Sequence, residues 1–298
     1  PAGHTFHTRS MIKVQDGCDN FCTYCIIPQV RGRAISRPAN EVLENIRQVL
    51  AYGFKEIVLT GVNIGRYDAN GLKFEGLVEK ILELEGDFRV RISSIEPEGF
   101  TPRFYELFAH PKLAPHLHLC IQSGSDKVLR DMRRMYTVAG FRDIMEGVRS
   151  HIPDFNFTTD IIVGFPGETE ADFEASLQAV HELGFSHVHT LKYSQPEGTR
   201  AYRMKGQVPA KLKTARAARV REAAEAVKKG FREKFIGKTQ RVLAERVDAQ
   251  GTAQGYGGHF LPVRFTGRAL QRNTFYHVRL TGLDSNDENL PLIGVVEE

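Results

Sequence analysis

The sequence predicts an α/β protein: a partial (βα)6 barrel followed by a small all-β barrel. Two observations lead to this fold class. Short β-rich runs alternate with amphipathic helical patterns over the first three-quarters of the chain, and strand then follows strand to the end. The 298 residues suffice for both parts. We expect a linker over residues 1–10, a large domain over 11–236 and a small domain over 237–298.

The alternating region contains six predicted strands, which lie at 12–15, 56–59, 90–93, 116–121, 157–163 and 187–193. Amphipathic helices are predicted between them at 40–52, 74–84, 141–149 and 170–183. This order indicates right-handed crossovers and a parallel sheet. Six units close most of a barrel but fall short of the eight units of a complete one.

Polar and glycine-rich loops follow the predicted strands, as in Gln122-Ser123-Gly124. Ligands bind at the carboxyl ends of parallel strands, so these loops can contribute to one site. The composition of any single loop is also explained by the need of the chain to turn there. The recurrence of such loops after every predicted strand favours a shared ligand-binding site.

The last quarter contains predicted strands at 241–248, 260–265, 274–280 and 291–296, separated by Gly and Asp or Asn turns. A domain boundary near 236–237 fits the change from alternating strands and helices to consecutive strands. Small barrels of this type often bind RNA or oligosaccharide, which the fold alone does not establish.

Net charge is +4, and much of the positive charge lies in one helical segment. Residues 211–234 hold nine Lys or Arg against three Asp or Glu. This segment is either a solvated helix face or a nucleic-acid contact. No apolar stretch approaches a membrane span, and clustered cysteines without a secretory leader indicate a reducing compartment.

Three cysteines lie within eight residues, Cys18, Cys22 and Cys25, in a C-x3-C-x2-C spacing. Such a loop can hold a 4Fe-4S cluster through three thiolates and leave the fourth iron without a protein ligand. An open metal position is a chemical site rather than a structural one. The spacing therefore predicts a reactive cluster.

Structural zinc is the main alternative, but it requires four ligands and no second Cys or His pair with zinc spacing is present. Cys120 lies on a separate predicted strand and is expected to be a buried thiol. His116 and His118 alternate with it, and we expect barrel-facing or surface histidines rather than ligands.

The cysteine loop, with an aromatic residue before its last cysteine, resembles the radical S-adenosylmethionine superfamily signature. The longer pattern resembles the methylthiotransferase family within it. The matching segments are QDGCDNFCTYCIIP at 15–28, RGR at 31–33, SRP at 36–38, QSGS at 122–125, DIIVGFPGET at 160–169, YS at 193–194 and GT at 198–199.

The resemblance implies a radical S-adenosylmethionine barrel followed by an RNA-binding TRAM barrel. It implies that Cys18, Cys22 and Cys25 hold the cluster and that S-adenosylmethionine binds its open iron. It further implies methylthio transfer, a tRNA anticodon arm as partner, a flavodoxin or ferredoxin as electron donor, and a cytoplasmic location without membrane contact.

Two features depart from the family pattern. Relatives have an N-terminal domain whose three cysteines hold an auxiliary 4Fe-4S cluster, and neither the domain nor spare thiols occur in this sequence, which begins at Pro1. We therefore expect the chain to cleave S-adenosylmethionine without completing sulfur insertion. Relatives also often place an Arg two residues after Ser194, where this chain has Pro196.

Three branches of the family act on isopentenyladenosine-37 of tRNA, threonylcarbamoyladenosine-37 of tRNA, and an aspartate of a ribosomal protein. LTGVNIGRY at 59–67 and RISSIEP at 91–97 are similar to the threonylcarbamoyladenosine branch. We predict methylthiolation at C2 of that nucleoside. The isopentenyl branch, the ribosomal branch and a non-enzymatic RNA-binding module with a structural metal remain alternatives.

A threonylcarbamoyl group carries a carboxylate, so its pocket should offer Arg or amide donors. The candidate substrate contacts are Arg31, Arg33, Arg37 and Arg66. The candidate cofactor contacts, in loops after the strands, are Gly61, Ser94, Glu96, Gln122, Gly164, Gly167 and Tyr193. We expect the small barrel and the basic segment 211–234 to hold the RNA, with binding that weakens steeply as salt rises.

Overall fold

The computed structural model describes residues 8–298, and all six predicted barrel strands are present in it. The strands of this region are β1 (Arg9–Lys13), β2 (Gln15–Asp16), β3 (Ile35–Ser36), β4 (Glu56–Thr60), β5 (Asp68–Ala69), β6 (Leu72–Lys73), β7 (Arg89–Ile92), β8 (Ser94–Ile95), β9 (His116–Leu119), β10 (Asn156–Val163) and β11 (His187–Lys192). The predicted linker lies mostly outside the described residues, and β1 already begins at Arg9.

Parallel pairing runs through β1, β4 and β7, and then through β8, β9, β10 and β11. Only Ser93 separates β7 from β8, so one continuous segment joins the two sheets. The result is a six-unit parallel partial barrel, which confirms the predicted fold class. Its hydrophobic core, shared with the surrounding helices, includes fully buried Leu59, Ile92 and Ile161, each of which contributes roughly 1.5–3 kcal/mol through burial.

Eight α-helices occur among the described residues: α1 (Ile27–Arg31), α2 (Ala39–Ala51), α3 (Phe74–Leu82), α4 (Pro102–Leu107), α5 (Asp126–Asp131), α6 (Val138–His151), α7 (Glu170–Glu182) and α8 (Ala210–Glu233). The four predicted crossover helices correspond to α2, α3, α6 and α7. The helix α7 starts with a capping box, because Thr169 and Asp172 satisfy each other's backbone N–H groups. The six-residue helices α4 and α5 are too short to give a sequence period.

The last part of the chain forms a closed five-stranded barrel from β12 (Thr239–Val247), β13 (Thr252–Tyr256), β14 (Pro262–Thr266), β15 (Phe275–Leu283) and β16 (Leu292–Val296). Four of its strands were predicted and β13 was missed, because its sequence contains Gln254 and Gly255. A Cβ at Gly255 would lie 1.8 Å from the Leu243 carbonyl oxygen, so close strand approach requires glycine there.

The small barrel packs on the amino-terminal ends of the large barrel's strands. Arg89, at the start of β7, donates to the carbonyl oxygens of Arg241 at 3.2 Å and Tyr256 at 3.0 Å. Asn156, at the start of β10, donates to the His259 carbonyl oxygen at 2.7 Å. The small barrel therefore lies opposite the loops that follow the strands. The helix α8 ends and β12 begins on either side of the predicted boundary, which stays a prediction.

Within residues 8–298, none of the helices combines the length and the apolar character needed to cross a membrane.

Candidate functional site

The cysteine loop lies between β2 and α1, and its backbone is fixed from several sides. Gly17 has φ +71°, and a Cβ there would lie 2.0 Å from the Arg33 carbonyl oxygen. Buried Gln15 donates to the Gly17 carbonyl oxygen at 2.7 Å and accepts from the Asn63 backbone N–H at 2.8 Å. Thr23 donates from its backbone N–H to the Met132 carbonyl oxygen at 3.0 Å. These contacts hold the loop before any ligand is added.

Each of the three loop thiols is a free cysteine with a nearby N–H donor. The backbone N–H of Asn20 lies 3.3 Å from Cys18 Sγ, and that of Ile27 lies 3.4 Å from Cys25 Sγ. Burial raises the pKa of Cys25, and the nearby Cys22 and Cys18 raise it further. Cys18 and Cys22 therefore lie near Cys25, and N–H donors are the environment that cluster sulfurs use.

The remaining loop thiol, that of Cys22, is buried against Arg134, which the sequence analysis did not predict as a site residue. Arg134 donates from Nη1 to Cys22 Sγ at 3.4 Å and from Nε to the Tyr136 hydroxyl at 3.1 Å. It also forms an ion pair with Glu96, a predicted cofactor contact. Burial alone would lower the pKa of Arg134, but Tyr136, Tyr24 and Cys22 raise it, so the guanidinium stays charged.

Gln122, a predicted cofactor contact, follows β9 and has an unusual backbone conformation. Its φ is +68°, and its main chain bonds to Asp160 and Ile162 of β10 at 3.0 and 2.9 Å. The side chain is buried, and its Oε1 has no hydrogen-bond partner among residues 8–298. A buried amide oxygen without a partner is costly unless a ligand hydroxyl reaches it.

The glycine-rich loop after β10 is held by α8. The Gly164 N–H donates to buried Glu168 at 2.9 Å, and Arg216 donates to the same carboxylate oxygen at 2.8 Å. A Cβ at Gly164 would lie 2.1 Å from Lys213 Cγ. Gly167 has φ +83° and donates to the Gly206 carbonyl oxygen at 2.8 Å. The loop is a rigid wall at the carboxyl end of β10.

Tyr193 is buried beside this wall, where its ring packs edge-on against Phe165 with centroids 5.5 Å apart. Burial raises the pKa of its hydroxyl while Thr199 lowers it. Gly61 lies elsewhere, behind the cysteine loop, because its Cβ position is 2.9 Å from the Gln15 carbonyl oxygen. Ser94 lies deeper in the barrel, 3.5 Å from Cys120 Sγ.

The four predicted substrate arginines have protein partners. Arg33 donates to Asp19 at 2.6 Å, Arg66 forms an ion pair with Glu98, and Arg31 lies 4.0 Å from Asp16. These pairs are largely exposed and can rearrange at little cost. Arg37 instead donates to the Lys13 carbonyl oxygen at 2.6 Å, which ties the segment after the loop to β1.

The barrel interior contains a polar group on neighbouring strands. His118 Nε2 lies 3.0 Å from Asp160 Oδ1, and His189 Nδ1 lies 3.7 Å from the same oxygen. Burial raises the pKa of Cys120 to about 12. A cavity of about 720 Å³ reaches this group from the small barrel, and Arg91, His116 and His189 contribute to its lining.

Some basic residues of α8 have partners within the protein. Within α8, Arg216 and Lys228 are buried, and Arg219 pairs with Glu170 and Glu174. These three of the nine basic residues therefore contact other parts of the protein, and the RNA contact predicted for 211–234 stays a prediction.

A parallel partial barrel with a three-cysteine loop at its strand carboxyl ends defines a class of cluster-dependent enzymes. The sequence profile of the Radical SAM superfamily matches residues 12–180, and the chain belongs to this superfamily. Its members use a 4Fe-4S cluster and S-adenosylmethionine.

Curated relatives narrow the comparison to tRNA modification. The threonylcarbamoyladenosine tRNA methylthiotransferase of Thermotoga maritima is 43% identical over 279 residues, which are 93% of this chain and 64% of the relative. The protein of the same name from Chlamydia pneumoniae is 38% identical over 93% of this chain and 66% of its own length. The tRNA-2-methylthio-N(6)-dimethylallyladenosine synthase of Geobacter sulfurreducens is 40% identical over 83% of this chain and 56% of its own. The chain spans less than two thirds of these relatives.

Solved structures agree on the fold. Methylornithine synthase superposes with a TM-score of 0.52 at 17% identity, covering 72% of this chain and 62% of that chain. Coproporphyrinogen III oxidase from Escherichia coli gives 0.51 at 14% identity, covering 76% and 54%. At these identities the likeness shows the fold alone.

Proposed function

We propose that this chain forms the radical and RNA-binding parts of a tRNA methylthiotransferase acting on C2 of N6-threonylcarbamoyladenosine at position 37. The observation that carries the proposal is the cysteine loop itself. It places three hydrogen-bonded thiols at the carboxyl ends of a parallel barrel, next to buried Arg134 and its ion-pair partner Glu96. Relatives named for this reaction supply the nucleoside.

In this proposal Cys18, Cys22 and Cys25 hold the 4Fe-4S cluster, because each sulfur faces an N–H donor. When bound, the cluster would supply the one-electron chemistry that cleaves the C5'–S bond of S-adenosylmethionine. The three cysteines would hold it from the fixed loop, and their number would leave a position for the cofactor. The electron donor is a small redox protein such as a flavodoxin or ferredoxin.

The cofactor contacts follow from the polar groups around the loop. Glu96 and Arg134 together offer a carboxylate and a guanidinium, which match the amino and carboxylate groups of methionine. The free Oε1 of Gln122 is available to a ribose hydroxyl. Gly164, Gly167 and Tyr193 form the wall on which adenine packs. Gly61 acts indirectly through Gln15, and Ser94 lies toward the substrate.

Sulfur insertion requires more than this chain in the proposal. An auxiliary 4Fe-4S cluster in an upstream domain relays sulfur, and the greater length of the relatives leaves room for such a domain. Arg31 and Arg33, exposed beside the cysteine loop, then lie where upstream chain and RNA approach.

Polar character inside the barrel favours threonylcarbamoyl over the apolar dimethylallyl substituent. A substituent that extends below the cofactor meets a cavity lined by Ser93, Ser94 and Arg91, which offer hydrogen-bond donors to a carboxylate. An apolar dimethylallyl group would form no such hydrogen bonds.

The anticodon arm binds through backbone contacts in this proposal, and adenosine-37 leaves its stack to reach the cluster. Exposed Arg268 and Arg279 of the small barrel are candidate phosphate contacts. A charge reversal such as Arg279→Glu should weaken binding of an anticodon stem-loop and lower its salt dependence. Arg47→Glu on α2 is the control. Equal binding by the wild type, Arg279→Glu and Arg47→Glu would remove the barrel from the interface.

The proposed tRNA substrate implies a cytoplasmic location for the enzyme.

Nucleoside mass spectrometry tests the reaction. A strain lacking the full-length protein should lose the 2-methylthio form of threonylcarbamoyladenosine, and wild-type protein should restore it while Cys22→Ala should not. Persistence of the 2-methylthio nucleoside in the deletion strain would refute the proposed substrate. Loss of the dimethylallyl derivative instead would assign the chain to the other branch.

A further inference from the structure

Three potential metal ligands lie together inside the barrel, away from the cysteine loop. His118 Nε2, Cys120 Sγ and a carboxylate oxygen of Asp160 all lie within 4.8 Å of one another. Positions 118, on β9, and 120, directly after it, point to the same side of the sheet because side chains alternate along extended chain. Parallel pairing of His118 with Thr158 brings Asp160 beside Cys120. The cluster follows from strand register.

Distances between these atoms fit a tetrahedral metal. Metal bonds of about 2.0 Å to N or O and about 2.3 Å to S require about 3.3 Å between N and O and about 3.6 Å between S and O. The observed separations are 3.0 Å from His118 Nε2 to Asp160 Oδ1 and 3.8 Å from Cys120 Sγ to Asp160 Oδ2. The two distances involve the two oxygens of one carboxylate, so a rotation of the Asp160 carboxylate and a closer approach of the side chains, now within 4.8 Å of one another, would complete the geometry.

A second layer of contacts orients the ligands. Thr158 Oγ1 lies 2.8 Å from His118 Nδ1, so the imidazole can donate there and leave Nε2 free for a metal. Ser94 Oγ lies 3.5 Å from Cys120 Sγ. His189 Nδ1, 3.7 Å from Asp160 Oδ1, is a candidate fourth ligand. The cavity lined by Ser94, His118 and His189 gives an entry path and room for water.

We propose that His118, Cys120 and Asp160 bind a divalent transition metal, with Zn²⁺ the best match, in a site distinct from the cysteine loop. A nitrogen, a sulfur and an oxygen ligand suit Zn²⁺ better than Mg²⁺ or Ca²⁺, which prefer oxygen alone. Thiolate and carboxylate together neutralise the charge of the ion, which allows binding in a cavity that also contains Arg91.

Cobalt absorption tests this proposal directly, because Cys120 is the remaining thiol when the three cysteines of the loop are replaced by serine. In the Cys18→Ser/Cys22→Ser/Cys25→Ser chain, titration with Co²⁺ should give a thiolate-to-cobalt charge-transfer band that saturates at one ion per chain, and Zn²⁺ should displace it. Adding Cys120→Ser should abolish the band. His118→Gln or Asp160→Asn should weaken Co²⁺ binding at least 10-fold, while His277→Gln on the small barrel should not.

A folded triple variant without the band, or a band unaffected by both His118→Gln and Asp160→Asn, would overturn the site. If the triple variant does not fold, zinc X-ray absorption on the cluster-loaded wild-type chain decides instead. One sulfur and two or three N/O neighbours support the proposal, and a sulfur-rich shell or no bound zinc contradicts it.

Discussion

Arg134 donates to Cys22 Sγ across 3.4 Å, although the two residues are 112 positions apart in the chain. The same guanidinium pairs with Glu96 and reaches Tyr136. A buried, permanently charged donor on a cluster sulfur stabilises the more negative, reduced cluster. This contact links the redox state of the proposed cluster to the proposed methionine site.

Arg134→Gln tests that link. We expect a lower midpoint potential for the cluster, and 5'-deoxyadenosine formation reduced by about 10- to 100-fold, the usual effect of losing an outer-shell partner. Redox titration monitored by electron paramagnetic resonance measures the first, and chromatography of the products measures the second. Exposed Arg130→Gln is the matched control. Unchanged potential and unchanged product yield would show that Arg134 is only structural.

Gly17→Ala should disrupt the cysteine loop. The new Cβ would overlap the Arg33 carbonyl oxygen and also force an unfavourable positive φ. We expect iron content after anaerobic reconstitution to fall several-fold, as measured by metal analysis. Gly71→Ala separates the two effects, because Gly71 has φ +89° but open space around its Cβ position. That control should lose about 1 kcal/mol of stability and keep its iron. Full iron loading of Gly17→Ala would contradict the prediction.

Glu56 is the buried acid that holds two arginines between the barrels. Its carboxylate accepts from Arg89 at 2.8 Å and Arg91 at 3.3 Å. Glu56→Gln leaves both guanidinium groups buried without their counter-ion, and we expect a loss of about 3–5 kcal/mol in the free energy of unfolding. Glu79→Gln, which breaks the exposed Arg103 pair, should cost about 1 kcal/mol or less. Urea denaturation measures both.

The pH dependence of the same pair has a defined sign. Burial would raise the pKa of Glu56, but Arg89 and Arg91 lower it overall below its ordinary value of 4.5. The stabilisation is therefore present above pH 4.5 and is lost as pH falls through the lowered pKa of the folded state. Wild-type stability should decline in that window more steeply than that of Glu56→Gln. Parallel curves would show that Glu56 titrates normally.

Local signals predicted the strands and the cysteine loop, because strand patterns and C-x3-C-x2-C spacing occupy a few consecutive residues. The register that places His118 beside Asp160 depends on the pairing of β9 with β10, and this pairing cannot be predicted from either short segment alone. Arg134 was missed for the same reason. It lies after a short helix, and its role becomes visible only when Glu96, which follows β8, and Cys22 of the cysteine loop come next to it.

Charge composition left a different question open. The excess of Lys and Arg in α8 favoured an RNA contact, which stays a prediction, while Arg216 of the same helix is buried on Glu168. Composition reports how many charges a helix has and not which face they occupy. Partner carboxylates on α7 and its preceding loop, distant in sequence, decide that question.

Replacing Gln122 tests its proposed role in cofactor binding without a change in protein stability. Replacement by glycine relieves the positive φ, worth roughly 1 kcal/mol, which offsets the lost packing. The same change removes the buried side-chain amide, whose Oε1 accepts no hydrogen bond from residues 8–298. We therefore expect Gln122→Gly to keep its urea midpoint but to bind S-adenosylmethionine at least 10-fold more weakly by equilibrium dialysis of the cluster-loaded chain. Gln122→Asn tolerates the same backbone and retains an amide, so it should lose less affinity than the glycine variant. Equal cofactor affinity in wild type and Gln122→Gly would remove Gln122 from the site, because the fold would be intact while the proposed contact made no difference.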